Sequence, residues 1–507
     1  MKRLFKNTIF TSIDYFVLIV LNLLATPVLI KNFGVDGYGA FVFLSIFSIY
    51  GALSFFDLGM EGSLMNYVAR FEANDDTEKL QNTLSAALVY YAAIGFVLGT
   101  AIYFAGGFIA DRLLHDNVAL SRESVMTAVS IIAFNIFLQF VTVPFSAVLQ
   151  GMRRFVITKS INSGMTTFRY ILIMIAAVYY HKIEYAFAII TGLTMIQLFT
   201  YLYYFSRRLD RFKGMKVRFD FALLKTLFNY SSILFVNRII GLICNQIDKI
   251  LIWLYMVVAN MTIYDVVSRP ANLLRLVLSV LNSAIVPEVA RMHQLNDIPA
   301  IRILFINMIR YSYLLILPVL AILGVYINDL LRAWVGDSFV PHSHLALILL
   351  AVYIVLPIPS VASTFVVGLE KVRQTIWIAI VSTAINITLS VSLLHVMGLA
   401  GLLTATFCAE LFGLIPYLLA MRKFLDFEVY RLIKPLLPIA LVNVFFLILH
   451  VLQRWMFGGH IFVYVIVGAC IVAVNYLANY RYLLGNDEKT FLWGRVAALK
   501  AKFAGAE

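Results

Sequence analysis

The chain has 507 residues, 62% of them hydrophobic and 13% charged, with a formal net charge of +13 and a mean hydropathy of +0.89. So apolar a composition excludes an ordinary soluble protein and predicts an all-α, polytopic membrane protein. Nor does the positive charge point to nucleic acid: most basic residues sit in short loops between apolar segments, as the positive-inside rule dictates, and no nucleic-acid partner is expected.

The N-terminus, Met1-Lys2-Arg3-Leu4-Phe5-Lys6, leads into a mainly apolar run without an A-x-A-like cleavage site, which reads as a retained first helix and not as a cleaved signal peptide. Hydropathy predicts about fourteen spanning segments. They fall near residues 9–31, 40–58, 84–108, 125–149, 160–180, 184–205, 228–254, 262–286, 303–327, 344–367, 374–395, 399–421, 435–452 and 461–480. An even number returns both termini to one side. Loops after the even segments carry Arg70 and Lys79; Arg153, Arg154 and Lys159; a basic run from Arg207 to Lys225; Arg291 and Arg302; Lys371 and Arg373; and Arg422 to Lys434. Loops after the odd segments hold only Lys31, Arg112, Arg122, Lys182, Arg332 and Arg454. Both termini and the basic loops are therefore expected to be cytoplasmic.

The longest basic loop divides the chain. Residues 1–205 read as an N-terminal six-helix bundle, 206–227 as a cytoplasmic linker, 228–421 as a C-terminal six-helix bundle, 422–480 as a final helix pair and 481–507 as a cytoplasmic tail. A weak internal repeat makes the two bundles pseudo-symmetric. Tyr67-Val68-Ala69-Arg70 with Asn74-Asp75 echoes Glu288-Val289-Ala290-Arg291 with Asn296-Asp297, one residue further on, and Val148-Leu149-Gln150-Gly151-Met152-Arg153-Arg154 echoes Phe365-Val366-Val367-Gly368-Leu369-Glu370-Lys371.

Charges inside spanning segments mark candidate sites, because a charge at bilayer depth costs about 2.5–3.5 kcal/mol on insertion scales and must face protein or water. The seventh segment carries Arg238, Asn245, Asp248 and Lys249. In the eighth, Asp265, Ser268, Asn272, Arg275, Ser279 and Asn282 follow at steps of three or four, which sets them in one stripe along a helix, with Arg269 one turn from Asp265. Pro270 beside Arg269 is expected to bend this helix and free carbonyls. Arg169 in segment five and Glu410 in segment twelve have no local partner in sequence. The stripe reads as the wall of a polar, cationic cavity; the structural alternative pairs Asp265 with Arg269 at i,i+4 and Asp248 with a cation on another helix. Among deep positions Arg169, Arg238, Arg269 and Arg275 outnumber Asp248 and Glu410, and guanidinium forks suit phosphate. An anionic substrate is the expectation, with Asn272, Ser279 and Asn245 as polar contacts and Asp248 or Glu410 as ion-coupling groups.

Nothing suggests a metal, a cofactor or an enzyme: Cys244, Cys408 and Cys470 are scattered through apolar segments, and no H-E-x-x-H, G-x-S-x-G or P-loop lysine is present. Tyr180, Trp253, Trp334 and Trp455 fall near predicted interfaces and read as belt residues. The stretch from Phe491 to Phe503 reads as a basic amphipathic helix on an anionic surface or as a plain solvated tail.

Several motifs, in order, carry a resemblance. Gly34-Val35-Asp36-Gly37-Tyr38-Gly39-Ala40-Phe41 lies between segments one and two, and Phe56-Asp57-Leu58-Gly59-Met60-Glu61-Gly62-Ser63 ends segment two. Leu149-Gln150-Gly151, Asn245-Gln246-Ile247-Asp248-Lys249, Trp334-Val335-Gly336 and Gly398-Leu399-Ala400-Gly401 follow. The chain resembles the polysaccharide-transport (O-antigen-type) flippases, a branch of the superfamily that also holds multidrug exporters and lipid II flippases. The resemblance implies fourteen helices in two bundles, alternating access, and movement of a polyprenyl-pyrophosphate-linked oligosaccharide across the cytoplasmic (inner) membrane, with polysaccharide-assembly proteins as candidate partners. Residues 257–264 depart from it, since the glycine-rich turn of the first half has no counterpart there. An ion-coupled drug or cation antiporter on the same architecture is the main alternative, and requires acidic residues to dominate the cavity. A membrane polymerase or ligase would need a larger outer loop than about 110–123 or 328–343 supplies.

Overall fold

A computed structural model describes residues 2–49, 51–114, 120–213, 215, 221, 223–228, 246–283, 285–457 and 461–483. Its α-helices are α1 (Lys2–Leu44), α2 (Met60–Ala73), α3 (Thr77–Leu113), α4 (Arg122–Gly151), α5 (Phe155–Tyr180), α6 (Ile183–Arg208) and α7 (residues 246–255), then α8 (Ala259–Ser283), α9 (Ile285–Gln294) and α10 (Ile298–Val335). After these come α11 (Ser343–Val355), α12 (Pro357–Gly368), α13 (Val372–Met397), α14 (Leu399–Leu425), α15 (Val429–Phe457) and α16 (Ile461–Ala478). Among the described residues there is no strand, and ten helices are long and apolar enough to cross a membrane. The protein is an all-α, multi-pass membrane protein.

Packing divides the chain into two compact units, Met1–Val266 and Val267–Glu507, with the boundary inside α8. In the first, α4 lies centrally against α2, α3 and α6, while α5 packs on α1 and α6. In the second, α14 lies against α11, α12 and α13, and α10 joins α11 and α12 to α15 and α16. Lipid is as apolar as these side chains, so close packing and hydrogen bonds must hold such helices together. Around Phe305, Phe365, Val289 and Met421, all fully buried, the second unit packs as a protein interior.

The internal repeat has structural counterparts, with one shift: Asp75 and Asp76, not Asn74 and Asp75, stand where Asn296 and Asp297 do. After α2, Asp75 takes φ +58° and Asp76 caps α3 by accepting from the Lys79 amide at 3.0 Å; after α9, Asn296 takes φ +54° and Asp297 caps α10 through the Ala300 amide at 3.1 Å. After α4 and α12 the chain reverses through Arg153 (φ +58°) and Glu370 (φ +60°). A β-carbon on Gly151 would sit 2.8 Å from Val68, and one on Gly368 would sit 2.8 Å from Val289. The same glycine therefore meets the same valine in each unit.

Two expected spans are broken. The segment predicted at 40–58 leaves the helix after Leu44, turns, and passes through a 3-10 helix at Ala52–Asp57 before α2 begins. The apolar run is continuous, but hydropathy does not register a break whose polar groups find partners. Those partners are present: Gln139 Oε1 accepts from the Ile49 amide at 3.0 Å, and the Tyr90 hydroxyl donates to the Phe56 carbonyl at 2.8 Å. We expect Gln139→Leu to destabilise the protein by about 1–3 kcal/mol, the cost of a buried donor left unsatisfied, read as a lowered unfolding temperature in detergent; an unchanged temperature would remove Gln139 as the cap of this break. The segment predicted at 344–367 is likewise split into α11 and α12, because Pro357 has no amide to continue the ladder. The Tyr313 hydroxyl satisfies the Ile354 carbonyl at 2.8 Å.

Two further expectations bear on this fold. Trp253 stacks on Phe43 (4.9 Å between centroids) and lies edge-on to Phe108, and Trp455 is 85% exposed. The tail at 491–503 lies outside the described residues.

Candidate functional site

The stripe on α8 is amphipathic as its spacing predicts, and α8 continues through Pro270. Leu274 and Leu278 are buried, while Asn272, Arg275 and Ser279 are exposed and Ser268 and Arg269 half-buried. Asn282 ends the stripe and is pinned to α12, its Nδ2 donating to Ser360 Oγ at 2.8 Å.

Arg275 is the centre of a three-helix cluster in the second unit. Because α11 runs along α14, Tyr353 of α11 and Glu410 of α14 both reach it: the Tyr353 hydroxyl is hydrogen-bonded to Arg275, and the Glu410 carboxylate interacts electrostatically with the guanidinium. Neither partner is legible in sequence, since each comes from a distant helix. Tyr353 is 2% exposed and Glu410 half-buried, so both are held by packing while Arg275 stays accessible. One carboxylate beside one guanidinium leaves donor capacity in the fork for a second anion.

The first unit holds buried carboxylates instead. Asp248 on α7 accepts from the Tyr264 hydroxyl at 3.0 Å, and Asp265 accepts from the Tyr38 hydroxyl at 2.8 Å. Both aspartates are under 10% exposed. Asp57, fully buried, takes the Tyr91 hydroxyl and the Glu61 amide. Arg169 lies half-buried on α5. Arg238 and Asn245 lie outside the described residues. Of the deep charges counted in the sequence, Arg169, Arg269 and Arg275 and the two carboxylates Asp248 and Glu410 are among the described residues. What distinguishes the signs is access: Asp248 and Asp265 are enclosed and hydrogen-bonded, whereas Arg275 is exposed. The accessible charge of the α8 stripe is cationic.

The glycine-rich motif owes its composition to contacts in the same unit. Gly34 has φ +76° and breaks α1 into two helices. Beyond it, Val35 offers its carbonyl to Thr262 Oγ1 at 2.6 Å, Tyr38 reaches Asp265, and a β-carbon on Gly39 would stand 2.3 Å from the Val258 carbonyl oxygen. No group of three or more His, Cys, Asp or Glu among the described residues is placed to hold a metal ion.

Residues 38–344 match the polysaccharide biosynthesis protein family. A probable low-salt glycan biosynthesis flippase, Agl15 of Haloferax volcanii, is 23% identical over 182 residues, which cover 36% of this chain and 39% of that protein. The fold is similar to that of the lipid II flippase MurJ in an inward closed conformation, with a TM-score of 0.71 at 15% identity over 94% of this chain and 99% of that one. It is also similar to an inward-facing multidrug resistance MATE family transporter of the MOP superfamily, with a TM-score of 0.64 at 13% identity over 82% of this chain and 98% of that one.

Proposed function

Because the chain belongs to the polysaccharide biosynthesis protein family, we propose that it is a flippase that carries a polyprenyl-pyrophosphate-linked oligosaccharide across the cytoplasmic membrane by alternating access of two six-helix bundles. The observation that carries this reading is the exposed Arg275 on a polar helix face, backed by Tyr353 and Glu410. Arg275, with Arg269, Arg238 and Arg169, binds the pyrophosphate; Asn272, Ser279 and Asn245 contact sugar; the polyprenyl tail stays in lipid. Glu410 meets this guanidinium through charge alone, so the fork keeps donors for an arriving phosphate oxygen. No covalent step is needed, and the protein acts as a transporter and not as an enzyme. Asp248 or Glu410 couples movement to an ion, and transport indifferent to both proton and sodium gradients would remove that role.

Both termini and the linker face the cytoplasm in this reading. A cysteine in place of Lys213, in a background lacking the three native cysteines, should react with an impermeant thiol reagent only from inside; labelling from outside would reverse the topology.

The test is transbilayer movement of a polyprenyl-pyrophosphate oligosaccharide in proteoliposomes. Movement that depends on the protein supports the flippase. Its absence, with ion-driven efflux of a cationic dye instead, establishes the antiporter reading.

A further inference from the structure

In the first unit α4 and α6 run side by side without closing on each other over part of their length. The floor between them is made of small residues, Ser130, Thr191 and Gly192, and nothing stands within 4 Å of where a β-carbon on Gly192 would be. Phe134 and Met195 form the walls and remain exposed. The result is an open groove of about 690 Å³. Two of its three hydroxyls are turned back on their own helices, Ser130 Oγ donating to the Met126 carbonyl at 2.9 Å and Thr191 Oγ1 to the Phe187 carbonyl at 2.8 Å; the third belongs to Thr127, which is exposed. The ionisable group in the lining is Glu123, at the end where α4 begins. It is exposed and makes no ion pair among the described residues, while the neighbouring Arg122 is engaged by Asp111 at 3.0 Å.

Length and charge together select an occupant. From Glu123 to Phe134 the groove follows eleven helical residues, roughly 16 Å at 1.5 Å per residue, about half of a ~30 Å hydrocarbon core. That is the depth of one leaflet, with the carboxylate at the level of the headgroups. We propose that the groove between α4 and α6 binds one acyl chain of an aminophospholipid, whose ammonium group meets Glu123. An anionic phospholipid would bring like charge to the carboxylate, as would the pyrophosphate head of a polyprenyl lipid. The site is thus separate from the substrate site proposed on α8, and its occupant is a membrane lipid held in place.

Nanodiscs of equal phosphatidylethanolamine and phosphatidylglycerol, with a photoreactive group midway along an acyl chain of one lipid or the other, test this directly. Mass spectrometry should place the phosphatidylethanolamine adducts on α4 and α6 around Phe134 and Met195, in excess of those on α13. Filling the groove with Gly192→Leu, or independently with Thr191→Leu, should lower those adducts about tenfold, the factor that ~1.4 kcal/mol of lost contact gives. Glu123→Gln should leave labelling in place while lowering the preference for phosphatidylethanolamine about fivefold, as expected for one charge at the membrane surface. Equal labelling by the two lipids, labelling no denser than on α13, or adducts unchanged in both filled variants when these unfold at the temperature of the unaltered protein would overturn the proposal. Displacement by a polyprenyl phosphate at equal concentration would reassign the groove to the substrate tail.

Discussion

Arg275→Ala should reduce oligosaccharide movement in proteoliposomes by about 100-fold, the loss expected when a desolvated, charge-assisted contact worth ~2–5 kcal/mol is removed. The same substitution should also lower stability, because Glu410 on α14 then faces Tyr353 without its guanidinium. Arg275 is exposed and Glu410 meets it through charge alone, so the stability cost should be that of an exposed pair, about 1 kcal/mol or less. The two consequences separate in the double variant. Arg275→Ala with Glu410→Gln removes the stranded charge and should restore the unfolding temperature, yet transport should remain lost because the anion-binding group is gone. Arg275→Lys, which keeps the charge but not the planar fork, should fall between. Movement by Arg275→Ala at the rate of the unaltered protein would take Arg275 out of the substrate site. Transport restored together with stability in the double variant would make its role structural.

The sequence makes one side of this cluster legible and not the other. Ser268, Asn272, Arg275 and Ser279 recur at helical spacing, and the stripe they define appears on α8 with apolar residues buried behind it. Tyr353 and Glu410 lie on α11 and α14, far from α8 in sequence, and no local periodicity encodes their approach to Arg275. The elbows behave differently. Asp76 and Asp297 are helix caps of a kind that a sequence announces, and their repetition in both units follows from backbone chemistry that each turn must satisfy separately. The broken helices were hidden for the opposite reason: Phe55 and Phe56 keep segment two apolar, while its freed backbone groups are satisfied by Gln139 and Tyr90 from elsewhere in the chain. The buried aspartates show the same limit. Asp248 and Asp265 stand out in the sequence as charges, but their tyrosine partners, Tyr264 and Tyr38, do not.

Gly39→Ala should destabilise the protein by about 2–3 kcal/mol, as overpacking does in a close-packed interior. The added β-carbon would stand 2.3 Å from the Val258 carbonyl oxygen and 3.0 Å from Thr262 Oγ1. A backbone carbonyl cannot rotate out of the way, so the second half of α1 must move off the start of α8. That movement strains two contacts made by the same stretch, Thr262 Oγ1 to the Val35 carbonyl and the Tyr38 hydroxyl to Asp265. Tyr38→Phe breaks the second contact, together with a longer one of 3.5 Å to Thr26 Oγ1, and should cost about 1.5–3 kcal/mol, the range for a hydrogen bond to a charged group. If Gly39 acts by permitting that contact, the two substitutions share part of one effect, and the double variant should lose less stability than their sum by at least ~0.5 kcal/mol. Simple additivity in thermal unfolding would mean that Gly39 and Tyr38 serve α1 independently. An unshifted unfolding temperature for Gly39→Ala would mean that the close approach of α1 to Val258 is not what the glycine provides. The coupled outcome accounts for Tyr38-Gly39 physically: the glycine lets one helix reach another, and the adjacent tyrosine satisfies the buried carboxylate it meets there.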